Sequence, residues 1–227
     1  MGIRLVFIIA LALSVENIFA QDKIKWQNVE VDENLTALLP KDFEKIDTVL
    51  HKNNVAMRFK VFKCKTAYAV FGITVTTEGT DIKADNSEDL EEAYKGIEEG
   101  FKKNAASRGL SCNFKDTVVD KIPGRKVVVY SNESASSFST VAYLFLLNDK
   151  IYEIVSSPID GSTMETGDRN KLIAGLHFTA TEISEKKFSS KAESRGYKIG
   201  ELFGEIIGFL FIIGLVVGFI ILITKRK

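Results

Sequence analysis

The chain is poor in the residues on which many catalytic and metal sites depend. It has only two histidines and two cysteines in 227 residues. A zinc site needs three or four clustered ligands, and no such spacing occurs. Cys-x-x-Cys is absent, which excludes a thioredoxin-like redox role. Gly-x-Ser-x-Gly and Gly-x-x-x-x-Gly-Lys are absent too, so neither a nucleophile elbow nor a phosphate loop is encoded. An excess of one charge is also lacking, with Lys plus Arg and Asp plus Glu at 30 each. Setting aside Arg4, Lys225, Arg226, Lys227, Glu16 and Glu205 in the terminal segments leaves 26 basic and 28 acidic residues, a net of −2. A near-neutral body offers no footprint for nucleic acid and none for anionic lipid. No Pro-rich or Gly/Ser-rich linker and no internal repeat divides the central part, which reads as one domain.

What the chain does have is two apolar ends. Residues 1–20 read as a cleavable secretory signal: Arg4 in a positive n-region, an unbroken apolar run from Leu5 to Leu13, and Ala20 at the cleavage position before Gln21. At the other end, Ile206 to Ile223 is eighteen consecutive residues without a polar side chain. A helix of that length covers about 27 Å, close to the hydrocarbon thickness of a bilayer. Residues 202–224 are therefore expected to form one transmembrane helix. Lys225-Arg226-Lys227 follows as a cytoplasmic tail under the positive-inside rule. Residues 21–185 become the extracytoplasmic domain and residues 186–201 a polar stalk. The expected location is a membrane, single-pass, with the domain facing the periplasm of a bacterial inner membrane.

Glycine repeats every four residues through this region, at Gly196, Gly200, Gly204 and Gly208, and again at Gly214 and Gly218. Residues four apart share a helix face, so Gly204, Gly208, Gly214 and Gly218 offer grooves for close approach of another helix. The partner would be a second copy or another membrane protein. The alternative is that glycine is simply frequent in membrane helices.

The domain is expected to be α+β, a single antiparallel sheet with one long and one short helix packed on it. Short strands are read at Ile24–Val31 and Leu35–Leu39, the second ended by Pro40. Alternation in Val55–Phe62 and Ala69–Val75 predicts a hairpin around Lys65-Thr66. Asn86 or Ser87 can cap a helix whose acidic first turn suits its dipole. Leu90, Tyr94, Ile97, Phe101 and Ala105 form its apolar face, and Gly109 its stop. Four strands of an antiparallel meander follow: Phe114–Ile122, Arg125–Tyr130, Phe138–Leu147 and Lys150–Ser156. Pro123-Gly124 and Asn148-Asp149 are read as tight turns between them. A short helix at Thr166–Leu176 and a strand at Phe178–Ile183 close the domain.

This order resembles the PsbP-like fold, named for an extrinsic subunit of photosystem II. The residues carrying the likeness are Leu39-Pro40, the helix Glu88–Arg108, Ile122-Pro123-Gly124 and Lys150-Ile151-Tyr152-Glu153-Ile154, within roughly residues 24–180. They are packing and turn features, and the likeness is one of topology. It implies accessory and binding proteins with diverse partners. It implies no enzyme activity, no cofactor and no site residue.

Individual residues offer weak chemistry. Export permits a disulfide between Cys64 and Cys112, and two buried free thiols are the alternative. His51 is placed in a polar loop and His177 at a helix end, neither with a nucleophile beside it. Asp81, Asp85, Asn86, Glu88 and Asp89 make an acidic cluster that lacks the EF-hand pattern and reads as the approach to a helix. Arg58, Lys60, Lys63 and Lys65 read as the solvated side of a hairpin, or as a contact surface for an acidic partner. Asn34-Leu35-Thr36 and Asn132-Glu133-Ser134 match the glycosylation pattern, relevant only in a eukaryotic secretory path. The expectation is a non-catalytic, membrane-anchored binding or accessory module, without cofactor or metal, that binds no nucleic acid. An envelope-acting hydrolase and an apolar small-ligand or lipid binder are the alternatives.

Overall fold

The structure is a computed structural model, and it describes residues 24–52, 55–78, 87–131, 139–147, 150–159 and 165–179. The signal at 1–20, the polar stalk and the membrane helix with Gly204, Gly208, Gly214 and Gly218 lie outside the described residues. So do Asp81, Asp85, Asn86, Asn132 and the expected turn at Asn148-Asp149. Among the described residues no helix is long and apolar enough to cross a membrane.

Two antiparallel sheets and two helices make up the described domain. β1 (Trp26–Asp32), β2 (Leu35–Pro40) and β10 (Leu176–Phe178) form a three-stranded sheet in the order β1-β2-β10. β3 (Phe43–Lys52), β4 (Val55–Lys65), β5 (Ala69–Glu78), β6 (Leu110–Val119), β7 (Ile122–Ser131), β8 (Ser139–Leu147) and β9 (Lys150–Pro158) form a seven-stranded sheet in the order β3-β4-β5-β9-β8-β7-β6. The single sheet expected from sequence is thus two. The short N-terminal strands pair with each other and with β10 instead of extending the larger sheet. α1 (Ser87–Ala106) joins the hairpins β3–β4–β5 to the meander β6–β9, and α2 (Glu165–Ala174) precedes β10.

Alternation along the strands sorts the core onto two faces. Phe62, Cys64, Phe71, Ile73, Tyr143, Phe145, Tyr152 and Ile154 point to one side, where they pack with Leu35, Ala37 and Leu39 of β2, Leu172 of α2 and Phe178. Met57, Phe59, Val127, Val129, Ala142, Leu144, Leu146 and Ile151 point to the other, under Leu90, Ala93, Tyr94, Ile97 and Phe101 of α1. With both faces covered, the central strands β8 and β9 are apolar at successive positions and lose the alternation of a half-exposed strand. Lys171 of α2 lies over the Trp26 ring, 4.6 Å from its centroid, which ties α2 to β1.

Local departures from the sequence reading have physical causes. β3 occupies a stretch to which the sequence reading assigns no element, and it places His51, expected in a polar loop, in a strand opposite Ala56. It is an edge strand whose Glu44, Lys45 and Asp47 are exposed, and such charges blunt an edge while hiding the strand signal. The β6–β7 turn is at Asp120-Lys121, with φ of 48° and 69°, three residues before the expected Pro123-Gly124. Gly124 serves close packing: a Cβ there would run into the Leu144 carbonyl oxygen and sit 2.6 Å from Phe145 Cδ1. Gly109, with φ of 70°, ends α1 as expected and donates from its N–H to the Ala106 carbonyl at 3.1 Å. At the C-terminal side of the domain, Phe178 N donates to Asp120 Oδ2 (2.7 Å). Thr179 N donates to Asn34 O (3.0 Å) and Thr179 Oγ1 to Glu33 O (2.7 Å).

Candidate functional site

Four arrangements of polar groups stand out among the described residues. The first is built on the β1–β2 turn. Asp32 Oδ1 accepts from the N–H of Asn34 and of Leu35, each at 3.0 Å, which closes the turn. Asp32 Oδ2 accepts from Tyr152 Oη at 2.9 Å and Lys150 Nζ at 2.8 Å. Asn34 Nδ2 donates to Tyr152 Oη at 3.1 Å, and Lys150 Nζ also reaches Glu33 Oε1 at 2.5 Å. Burial opposes the charge on Lys150, but its bonds to Asp32 and Glu33 outweigh that and hold its pKa above the ordinary value. Burial pushes the Tyr152 hydroxyl far above the usual phenol range, so it serves as a neutral donor. Asp32, Asn34 and Tyr152 are buried and bonded to one another, which makes this a fastener between the turn and β9. Asn34, part of a glycosylation pattern, is buried in it.

The second arrangement lies where α1 meets β7. Arg125 Nη2 donates to Glu91 Oε2 at 2.5 Å, Nε to Glu98 Oε1 at 3.2 Å, and Nη1 pairs with Asp116 Oδ1 at 2.9 Å. The guanidinium carbon lies 4.7 Å from the Tyr94 ring centroid. Tyr94 Oη accepts from Leu146 N at 3.1 Å and faces the carbonyls of Pro123 (3.3 Å) and Leu144 (3.5 Å).

The third is Glu153. It sits in the middle of β9, opposite Thr74 of β5 and Leu144 of β8, on the face covered by α1. It is 2% exposed, and its Oε1 has no hydrogen-bond partner. Burial alone pushes its pKa up to about 8, so at neutral pH it is a neutral acid. Asp168 Oδ2 is also buried without a partner, but it lies in the first turn of α2, at the positive end of the helix dipole.

The fourth is the pair of cysteines. Both are free, and they cannot meet. Cys64 is on β4 and points to the three-stranded sheet, while Cys112 is on β6 and packs on the α1 side, five strands away. Burial pushes Cys64 up to about 12 and raises Cys112 as well, so both are poor nucleophiles.

The remaining sequence candidates are dispersed. His177 is exposed on β10, its Nδ1 4.0 Å from Asp120 Oδ2. Arg58 and Lys60 fall on one face of β4 and Lys63 and Lys65 on the other, so they do not form one basic surface. Lys60 Nζ donates to the Val31 carbonyl at 3.2 Å. Among the described residues no group of three or more His, Cys, Asp or Glu side chains could hold a metal ion. The large apolar side chains left exposed include Ile46 (45%) and Val49 (43%) on edge strand β3, Val118 (68%) on edge strand β6, and Tyr130 (44%) on β7.

Sequence reasoning passed over Glu153 and Asp32. Two signals could have found them: a lone carboxylate inside the doubly apolar run Lys150–Val155, and an Asp two residues before Asn34 at a strand-to-strand turn.

The geometry defines an α+β domain whose larger antiparallel sheet is covered on both faces. No protein-family model matches the chain, and no curated protein matches it. Among solved structures it is similar to the solution structure of cyanobacterial PsbP (CyanoP) from Synechocystis sp. PCC 6803. The identity is 15% and the TM-score 0.48, over 70% of this chain and 95% of that one. At that level no residue role passes from one chain to the other.

Proposed function

We propose that the chain is a membrane-anchored extracytoplasmic binding or accessory module without catalysis of its own, working as a subunit of a membrane complex. The observation that carries this reading is the apolar run Ile206–Ile223 followed, after Thr224, by Lys225-Arg226-Lys227, behind an exportable leader. An anchor confines the domain to two dimensions and raises its effective concentration near membrane partners. The glycine faces at Gly204, Gly208, Gly214 and Gly218 would recruit the partner helix.

The test is crosslinking in intact membranes with pull-down through a tag placed between Phe188 and Arg195. Recovery of one defined membrane protein, lost when Gly214 and Gly218 are changed to Leu, is the expected result. Recovery of the same neighbours by the wild type and the glycine variant would remove helix docking from the proposal. Recovery of the chain in the soluble fraction would remove the anchor.

A further inference from the structure

Glu153 is out of place for a carboxylate. Its strand lies between β5 and β8 in the interior of the seven-stranded sheet, and its side chain lies buried on the sheet face on which α1 packs. Its neighbours along that face of β9 are Ile151 and Val155, and its cross-strand partners are Thr74 and Leu144. The helix above contributes Leu90, Ala93, Tyr94, Ile97 and Phe101, all buried.

The charged and titratable groups on these elements are engaged elsewhere or displaced along the sheet. Tyr94 Oη is spent on Leu146 N and the carbonyls of Pro123 and Leu144. Arg125 of β7 is held by Glu91 and Glu98 of α1 and Asp116 of β6. Lys102 of α1 pairs with Glu98 and lies over Phe114. Cys112 is on edge strand β6, three strands from β9. On β4, two strands away on the other side, Lys63 and Lys65 share this face farther along the strand. None of them bonds Glu153 Oε1.

A neutral carboxyl can be accommodated there, but an anion without a counter-ion or donor has no means of offsetting its lost hydration. The cheapest escape is to admit water by lifting the element that covers it. α1 is that element, and one of its connections, to β6, is the short turn Ser107–Gly109.

We propose that Glu153 is a pH-responsive latch between α1 and the seven-stranded sheet: protonated, it lets α1 seat on β8 and β9, and ionised, it drives α1 off. The opened state would uncover Ala142, Leu144, Leu146 and Ile151, an apolar surface that the closed domain hides. The proposal does not depend on the membrane anchor or on any partner. Its direction is fixed: in the opened, solvated state the carboxyl titrates near an ordinary glutamate, so rising pH favours opening.

The test is amide hydrogen exchange on the full-length chain from pH 5 to 8, corrected for the intrinsic exchange rate. Amides of α1 between Leu90 and Ala105 are expected to lose protection by up to about tenfold per pH unit. Those of β8 and β9, which the opening of α1 does not free, should stay more protected than α1 at every pH. In Glu153→Gln and in the apolar Glu153→Leu the α1 profile should be flat. Constant α1 protection in the wild type would overturn the latch. So would equal protection of α1 and the sheet at each pH, which would mean that α1 opens only when the whole domain unfolds, or an unchanged slope in either folded variant. The comparison of α1 with β8 and β9 within the wild type decides the question even if a variant fails to fold.

Discussion

Tyr94 completes the hydrogen bonding of a strand at Leu146. The β7–β8 ladder ends at the pair Arg125–Leu144, and beyond it Pro123 on β7 keeps a carbonyl acceptor but has no N–H. The Tyr94 hydroxyl enters there, accepting from Leu146 N at 3.1 Å with the Pro123 carbonyl at 3.3 Å. A helix side chain thereby bridges an N–H of β8 and a carbonyl of β7 past the end of their ladder, and Arg125 stacks on the ring that delivers it.

Tyr94→Phe keeps the ring and the Arg125 stack but leaves the Leu146 N–H without this acceptor. The expected cost is about 1–3 kcal/mol, read as a lower urea midpoint with an unchanged slope. Arg125→Met should weaken the same seam. Its effect should depend less on salt concentration than a surface ion pair would, because the guanidinium is largely buried.

The fastener at the β1–β2 turn can be taken apart one group at a time. Tyr152→Phe removes one donor to Asp32 and one acceptor for Asn34, at a cost of about 1–2 kcal/mol. Asp32→Ala removes the partner of four donors and should cost about 3 kcal/mol or more. Comparing the two by chemical denaturation with the double variant gives a coupling energy, expected to differ clearly from zero.

Gly124→Ala forces a methyl group against the Leu144 carbonyl and the Phe145 ring. A loss of about 1–3 kcal/mol is expected, with the thermal midpoint as the measurement. The same substitution at Gly167, where a Cβ would meet nothing within 4 Å, should be neutral or stabilising because it is helical.

Global stability should fall as pH rises. The folded protein holds the Glu153 proton up to about pH 8, whereas the unfolded chain releases it near 4.5. Between those values the folded state binds more protons, so the stability of the fold decreases with pH, by at most about 1.4 kcal/mol per unit from this group. Below pH 4.5 the contribution is fully present, and above about 8 it is gone. Glu153→Leu should flatten this slope and stabilise the protein at pH 8, both visible in denaturant titrations at several pH values.

Both thiols should be free under non-oxidising and mildly oxidising conditions. An uncharged alkylating reagent at pH 7.5 is expected to modify half-buried Cys112 slowly and Cys64 only after unfolding, as peptide mass mapping would show. A Cys64–Cys112 bridge in the native protein would contradict the strand order.

Elements with strong periodicity or clear stop signals were legible from sequence. α1 shows its apolar face at Leu90, Tyr94, Ile97, Phe101 and Ala105 and ends at Gly109, and the β4–β5 hairpin turns after Lys65. β3 was missed because Glu44, Lys45 and Asp47 mask a strand held mainly through its pairing with β4. The turn before β7 was misplaced because Asp120 and Lys121 adopt positive φ, which favours Gly or Asn, while the nearby Pro123-Gly124 carries a stronger turn signal. The division into two sheets was not legible, since pairing partners of short strands depend on contacts distant in sequence, such as Leu176 with Ala37. The Arg125 cluster and the Asp32 fastener escaped for the same reason: their members lie on separate elements.

The described chain leaves the domain from its shortest strand. β10 holds to β2 through only Leu176, His177 and Phe178, and the clips at Asp120, Asn34 and Glu33 follow immediately. Any pull transmitted from beyond Thr179 therefore loads these few bonds before it reaches the seven-stranded sheet. Under tension β10 would be the first element to yield. The Asp32–Tyr152 fastener, seated at the same end of β2, would decide whether the rest of the small sheet goes with it.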